Sequence, residues 1–244
     1  MDHWQENEFE SHQKAAKALD MIMAEAFDFI QENENSVSEY DVQQNIMKGF
    51  RRAGLVSDNE PPIVAFGPNT RHVHYFPGQD SRVLQENDLI MIDIWASFPG
   101  QNPYADITWM GYRGTEIDPE IKLKTDLVFE ARDQAIKYLK SSLDKNIIPT
   151  GEEIDRVARD YFGEYEANFF HTLGHSLGFD SPHGRHGRLG AGNIDPLLQN
   201  VGYTIEPGLY FDLFGARSEI DFIITEKKKM IITTKVQSKI VVIK

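Results

Sequence analysis

The chain has 244 residues, 41% of them hydrophobic and 26% charged, which is ordinary for a globular protein and long enough to bury a sizeable core. A net charge of -13 argues against a nucleic-acid surface or an anionic membrane as partner. The absence of cysteine excludes disulfides, a thiol nucleophile and thiolate metal sites, so any metal must be held by His and carboxylate.

The N-terminus, Met1-Asp2-His3-Trp4-Gln5-Glu6, has neither a basic leader nor an apolar run, and no stretch approaches the ~18 apolar residues of a membrane span, so a cytoplasmic location is expected. From Glu8 to Gln31, Ala15, Leu19, Ile22, Met23, Ala26, Phe27 and Ile30 recur at helical spacing, which predicts an amphipathic helix. Met21 and Met23 read as core filler there. Ser38 reads as an N-cap, with Glu39 and Asp41 in the first turn of a second helix that stops at Gly54. Between Pro61 and Pro77, alternation puts His72, His74 and Phe76 on one face of a short strand. An isolated strand-end histidine is more often solvated or bonded to a neighbouring loop than functional.

Asp88 to Trp95 is a turn followed by an apolar run of β-formers, read as a buried strand that Asp93 interrupts. Loop residues from Ser97 to Pro103 lead to a returning strand, Tyr104 to Trp109, which contains Asp106. The plainer reading is two aspartates capping turns at a sheet edge. Burial of a lone carboxylate is costly unless it is paired, hydrogen-bonded or metal-bound, so two on adjacent strands also suggest a shared cation.

Helical periodicity resumes from Lys122 to about Leu143, and Thr150-Gly151-Glu152-Glu153 matches a capping box opening another helix. Long helix, capped helix, then strands with embedded His and carboxylates thus occurs twice, over residues of about 8–118 and 122–244. This predicts two similar α+β halves around one shared site in a single domain of 1–244. In the second half, His171, Leu173 and His175 are expected on one strand face, and His183 and His186 in a Gly/Pro loop. Glu206 ends a strand before a Pro-Gly turn, and Arg217, Glu219 and Asp221 alternate along another. Lys227 to Lys229 read as a solvated turn before a final strand from Met230 to Val236 or beyond.

Asp93, Asp106, His175, Glu206 and Glu219 together make four carboxylates and one imidazole, each on or beside a predicted strand. Four buried carboxylates cannot all ionise without cations, and their charge suits two divalent metals. Such a pair would generate a nucleophile from water and polarise a carbonyl, which implies hydrolysis.

The stretches Asp88 to Asp93, Ala105 to Thr108, Leu173 to Gly178, Thr204 to Tyr210 and Arg217 to Asp221 resemble, in order, the metal-ligand motifs of the pita-bread metallopeptidases, which include methionine aminopeptidase, aminopeptidase P and prolidase. The resemblance covers nearly the whole chain. It implies an α+β pita-bread fold, two pseudo-symmetric halves with a curved antiparallel sheet covered by helices. It implies that Asp93 binds one metal and His175 and Glu206 the other, that Asp106 and Glu219 bridge the pair, and that Glu206 takes the proton from the nucleophilic water. His74 and His183 resemble the family's substrate-contacting histidines, and His171 a supporting one. Manganese is the metal expected, ahead of cobalt, iron or zinc.

Two spacings depart from the family pattern: Asp93 to Asp106 is longer by two residues and His175 to His183 by one. The length resembles methionine aminopeptidase, because most proline-directed members carry a further N-terminal domain. The His74-Tyr75 context, the Leu173 to Gly178 motif and the lack of a pocket cysteine resemble the proline-directed branch. The expectation is therefore a peptidase removing the residue before proline from short peptides, in the cytoplasm and possible as a homodimer. Methionine aminopeptidase is the alternative, with a metal-free binding module or a creatinase-like C–N hydrolase behind it. Trp95, Phe98 and Tyr104 are candidates for an apolar substrate wall, although core packing is the expected role for such residues.

Overall fold

The structure is a computed structural model and describes residues 3–100 and 102–244. The first half opens with helices α1 (Glu6–Glu32) and α2 (Glu39–Ala53), followed by strands β1 (Ile63–Phe66), β2 (Leu89–Ala96) and β3 (Ala105–Arg113). The second half repeats the pattern with α3 (Pro119–Asp144) and α4 (Gly151–Phe162), then β4 (Gly174–Leu177), β5 (His183–Leu189), β6 (Gly202–Ile205), β7 (Gly208–Tyr210), β8 (Gly215–Arg217), β9 (Ile220–Ile224) and β10 (Met230–Ile232). A last strand, β11 (Val241–Ile243), returns to the first half.

Local chemistry sets the helix ends. Ser38 accepts from the Asp41 amide while Asp41 reaches back to Ser38, and Thr150 and Glu153 do the same for α4. Gly54 closes α2 in the left-handed conformation at φ 71°, where a side chain would be strained. Asp118 caps α3 and Pro119 occupies its first turn, so the helix starts three residues ahead of the expected Lys122.

Strands β1, β2, β3 and β11 form one sheet in that order, and β10, β9, β6, β4 and β5 form a second; β7 and β8 make a separate hairpin. Side-chain alternation gives the first sheet two different faces. From β2, Ile90, Ile92, Ile94 and Ala96 join Ile107 and Trp109 of β3 in a core under α1 and α2. Leu89 and Met91, with Met110 and Tyr112, point the other way into the core shared with α3 and α4. Asp93 continues the Leu89 and Met91 face. The β2–β3 register pairs Asp93 with Thr108 and Trp95 with Asp106, so both aspartates project from that face towards the second half. Each fully buried Ile or Leu contributes about 1.5–3 kcal/mol, and this packing on both faces is what can hold charged side chains between the halves.

Several expected elements are revised. Residues 72–77 form no strand; Gly67–Arg71 is a turn of 3-10 helix, and the His74 loop is held through Tyr75, whose hydroxyl donates to buried Glu39. Strand β4 starts at Gly174, leaving His171 and Leu173 ahead of it. His183 and His186 lie in β5 rather than a loop. The expected strand through Arg217, Glu219 and Asp221 breaks at Ser218 and Glu219, between β8 and β9. The final strand is two short ones, β10 and β11, the latter parallel to β3.

Candidate metal centre

The five residues expected to bind metal all line one cavity of about 500 Å³ between the halves, together with His74, His171 and His183. Donor atoms of Asp106, His175 and Glu219 lie within 4.8 Å of one another. Glu206 closes on this triad through Oε1, 3.4 Å from His175 Nε2. Asp93 stands on the other side, where its Oδ2 accepts from Arg217 Nη2 at 2.5 Å.

Each side chain is set by a neighbour. His175 Nδ1 lies 3.0 Å from the Ser176 carbonyl, which can only accept, so the ring proton sits on Nδ1 and the Nε2 lone pair faces Glu206 and Asp106. That is the tautomer a metal-binding imidazole needs, with its second nitrogen held by a carbonyl. Glu219 accepts from Thr108 Oγ at 2.9 Å, and its amide donates to the Thr108 carbonyl. Thr204 Oγ accepts from the His175 amide at 3.1 Å and donates to Glu206 Oε1 at 3.3 Å. Asp106 is held by its backbone, whose N–H donates to Asp221 Oδ2 at 2.9 Å.

Arg217 runs through the centre. Besides Asp93 it donates to Thr108 Oγ, to the Val73 carbonyl and to the Tyr210 hydroxyl, which in turn meets His171 Nε2 at 2.9 Å. With 2% exposure its charge is sealed among the carboxylates. Burial opposes the charged form, but Tyr210 and Asp93 outweigh it and hold the guanidinium ionised.

Electrostatics show the site short of positive charge. Burial, then Asp93, raises Asp106 well above the usual carboxylate range, and burial, then Asp106, does the same for Glu219. Burial raises Glu206 to about 8, with Arg217 opposing and Asp93 adding to the shift. Burial and then His183 lower His175 to about 3, and burial and then Arg217 lower His171 to about 3. His183, its ring 4.3 Å from that of His175, is lowered by partial burial and by His74. Among the described residues, Asp93 Oδ1 and Asp106 Oδ1 are buried without a hydrogen-bond partner. Unpaired carboxylate oxygens beside a neutral imidazole lone pair are a donor set that fits divalent cations, with oxygens for hard ions and one nitrogen for manganese, cobalt, iron or zinc.

Trp95 and Ile63 line the same cavity and pack with Tyr104, whereas Phe98 packs against the α1–α2 core. The Trp95 indole donates to Asp58, which with Glu60, Arg185 and Arg188 surrounds the cavity. Arg217, Tyr210, Thr204 and Asp221 were not singled out from the sequence as site residues. The signal available for two of them was the alternation of Arg217 and Asp221 with Glu219, which equally describes the solvated face of an edge strand.

Helix-covered halves meeting around buried carboxylates and one imidazole define a pita-bread fold of the metallopeptidase class. The sequence profile of metallopeptidase family M24 matches residues 10–226, and the chain belongs to that family. The chain is 28% identical over 91% of its length to the probable dipeptidase PepE of Mycobacterium tuberculosis and 26% identical over 91% to the Xaa-Pro dipeptidase of Pyrococcus horikoshii. It spans 56% and 59% of those proteins respectively. The crystal structure of an X-Pro aminopeptidase from Thermotoga maritima superposes with a TM-score of 0.84 and 28% identity, covering 98% of this chain and 64% of that one. A recombinant prolidase from Thermococcus sibiricus gives a TM-score of 0.83 at 25% identity, covering 99% and 62%.

Proposed function

We propose that this chain is the catalytic domain of a dinuclear metallopeptidase that hydrolyses the bond between an N-terminal residue and a following proline in short peptides. The observation that supports the reading is that Asp93 and Asp106 each keep a buried, unpaired oxygen in the cavity that holds the free Nε2 of His175, while Arg217 is, among the described residues, the one guanidinium bonded to the ligand carboxylates. Asp93 would hold one ion, His175 and Glu206 the other, and Asp106 and Glu219 both, within the single domain 1–244. Bound divalent cations supply an activated water and polarise the scissile carbonyl, and manganese is the ion favoured here.

The chain's own residues supply the rest. Glu206, held by Thr204 beside the His175 imidazole, would accept the proton of the attacking water and pass it to the leaving nitrogen. His74 and His183, on the cavity wall, donate to the carbonyl oxygen as negative charge develops on it. His171, braced by Tyr210, supports that wall. A proline nitrogen has no N–H to donate, so the site needs a shaped apolar surface, which Trp95 and Ile63 supply. The names of the Pyrococcus and Thermotoga relatives support this substrate class. A short peptide as substrate, a cytoplasmic location and a homodimer that completes the pocket belong to the same reading. Among the described residues, no helix is long and apolar enough to cross a membrane.

The test is metal removal and return. Chelated protein should lose activity and recover it with manganese or cobalt at two ions per chain; full activity in protein shown to be metal-free contradicts the reading.

A further inference from the structure

The outer edge of β3 is finished not by a neighbouring strand along its whole length but by side chains and loop backbone from the second half. Strand β11 pairs only with Gly111 to Arg113. At Met110, the side-chain amide of Gln237 bonds both the backbone N–H and the carbonyl, at 2.8 and 2.7 Å. At Thr108, the carbonyl accepts from the Glu219 amide. At Asp106, the N–H points away from β2 and finds Asp221 Oδ2 at 2.9 Å.

Asp221 is fully buried and is the cross-strand partner of Thr204 in the second sheet. Thr204 already holds His175 and Glu206, so one rung of that sheet touches three of the five ligand residues. The other Asp221 oxygen has no partner among the described residues, and the neighbouring His12 cannot serve it. His12 Nδ1 lies 2.9 Å from the Tyr104 carbonyl and therefore carries the proton, while Nε2 is turned to Thr233 Oγ at 2.7 Å and stands 4.0 Å from Asp221. An incompletely bonded buried carboxylate is a costly way to finish a strand edge. What it provides is an acceptor that spans the gap between the sheets at the backbone of Asp106.

We propose that Asp221 is a positioning residue: by accepting the Asp106 amide proton it sets the distance between the two sheets and aims the Asp106 carboxylate as a bridge between two metal ions. The inference rests on the dinuclear reading above. Without the acceptor the Asp106 N–H would be buried and unsatisfied, and β3 would shift to find another partner. Metal sites require donor distances within about 0.2 Å, so a small shift of this strand separates the two ions' ligand sets.

The experiment is manganese titration of purified protein by calorimetry, with the electron paramagnetic resonance signal of exchange-coupled manganese read in the same samples. Asp221→Leu removes both the acceptor and the unpaired oxygen, so the chelated variant should keep its circular dichroism spectrum. Its second manganese should bind at least tenfold more weakly and the coupled signal should be lost. Asp221→Asn, which keeps an oxygen for the Asp106 amide, should restore affinity to within threefold and bring the signal back. A folded Asp221→Leu protein with wild-type affinity and a coupled signal overturns the proposal. If Asp221→Leu does not fold, the β-branched Asp221→Val makes the same comparison; if neither folds, Asp221 is a structural residue and the proposal fails. Wild-type protein that takes up only one ion defeats the dinuclear reading and this proposal with it, whereas two ions bound with equal affinity and a coupled signal in both wild type and Asp221→Leu defeat this proposal alone.

Discussion

Of the three arginines that line the cavity, Arg217 is the one bonded, among the described residues, to one of the four carboxylates expected to bind metal, and its position decides which of those four are left uncompensated. Arg217 is spent on Asp93, so Asp106, Glu206 and Glu219 face His175 without a positive partner of their own. His74 differs from these residues because it lines the cavity from a loop and takes no part in the close triad. His74→Ala should therefore lower kcat by about 10²–10³ while leaving bound metal nearly unchanged, as expected for a lost donor to a developing oxyanion. Parallel measurement of turnover and metal content checks this, and equal losses of both would make His74 a ligand. At this scale the sequence was informative where a charge broke an apolar run, as Asp93 does in β2. It did not show the buried role of Arg217, which depends on Thr108 and Asp93, both more than a hundred residues away in the chain.

At the scale of elements, the helices were legible because their caps and stripes are local: Ser38 and Thr150 mark helix starts that the structure reproduces. Strand β5, His-Gly-Arg-His-Gly-Arg-Leu, has few β-forming residues and is a strand only because it pairs with β4 across an irregularity between His175 and Leu177. Strand β11 depends on a parallel pairing of Val241 with Gly111 that no local pattern announces. Gly111 also lets α1 approach the sheet: a Cβ there would lie 2.5 Å from Phe27 Cε1. Gly111→Ala should cost about 1–3 kcal/mol, seen as a lower urea midpoint at unchanged m-value. Phe27→Leu in the same chain should recover part of the loss. An unshifted midpoint would show that α1 yields at no cost.

The whole molecule carries the electrostatic cost of its site. In metal-free protein Glu206 titrates near 8 against about 4.5 when unfolded, and Asp106 and Glu219 are raised as well. The folded state therefore binds more protons than the unfolded one over that range, and this stability is lost as pH rises from about 4.5 towards 8. His171 and His175, lowered to about 3, act in the opposite sense, but only as pH falls below about 6.5. Between pH 6.5 and 8 the chelated protein should become less resistant to urea, and divalent metal should flatten the trend. Rising stability of the chelated protein over that interval would contradict it.

The repeat of two helices followed by strands was visible along the chain, and the structure adds how the halves are joined: Asp106 to Asp221, Thr108 to Glu219, Asp93 to Arg217, each bond running from the first half to the second. Trp95 and Ile63 line the cavity between them. The most direct measurement of the proposed function is kcat/KM of manganese-loaded protein for Met-Pro against Met-Ala under one set of conditions. The account predicts a clear preference for Met-Pro; a preference for Met-Ala, or cleavage of neither by protein shown to hold two metal ions, would contradict it.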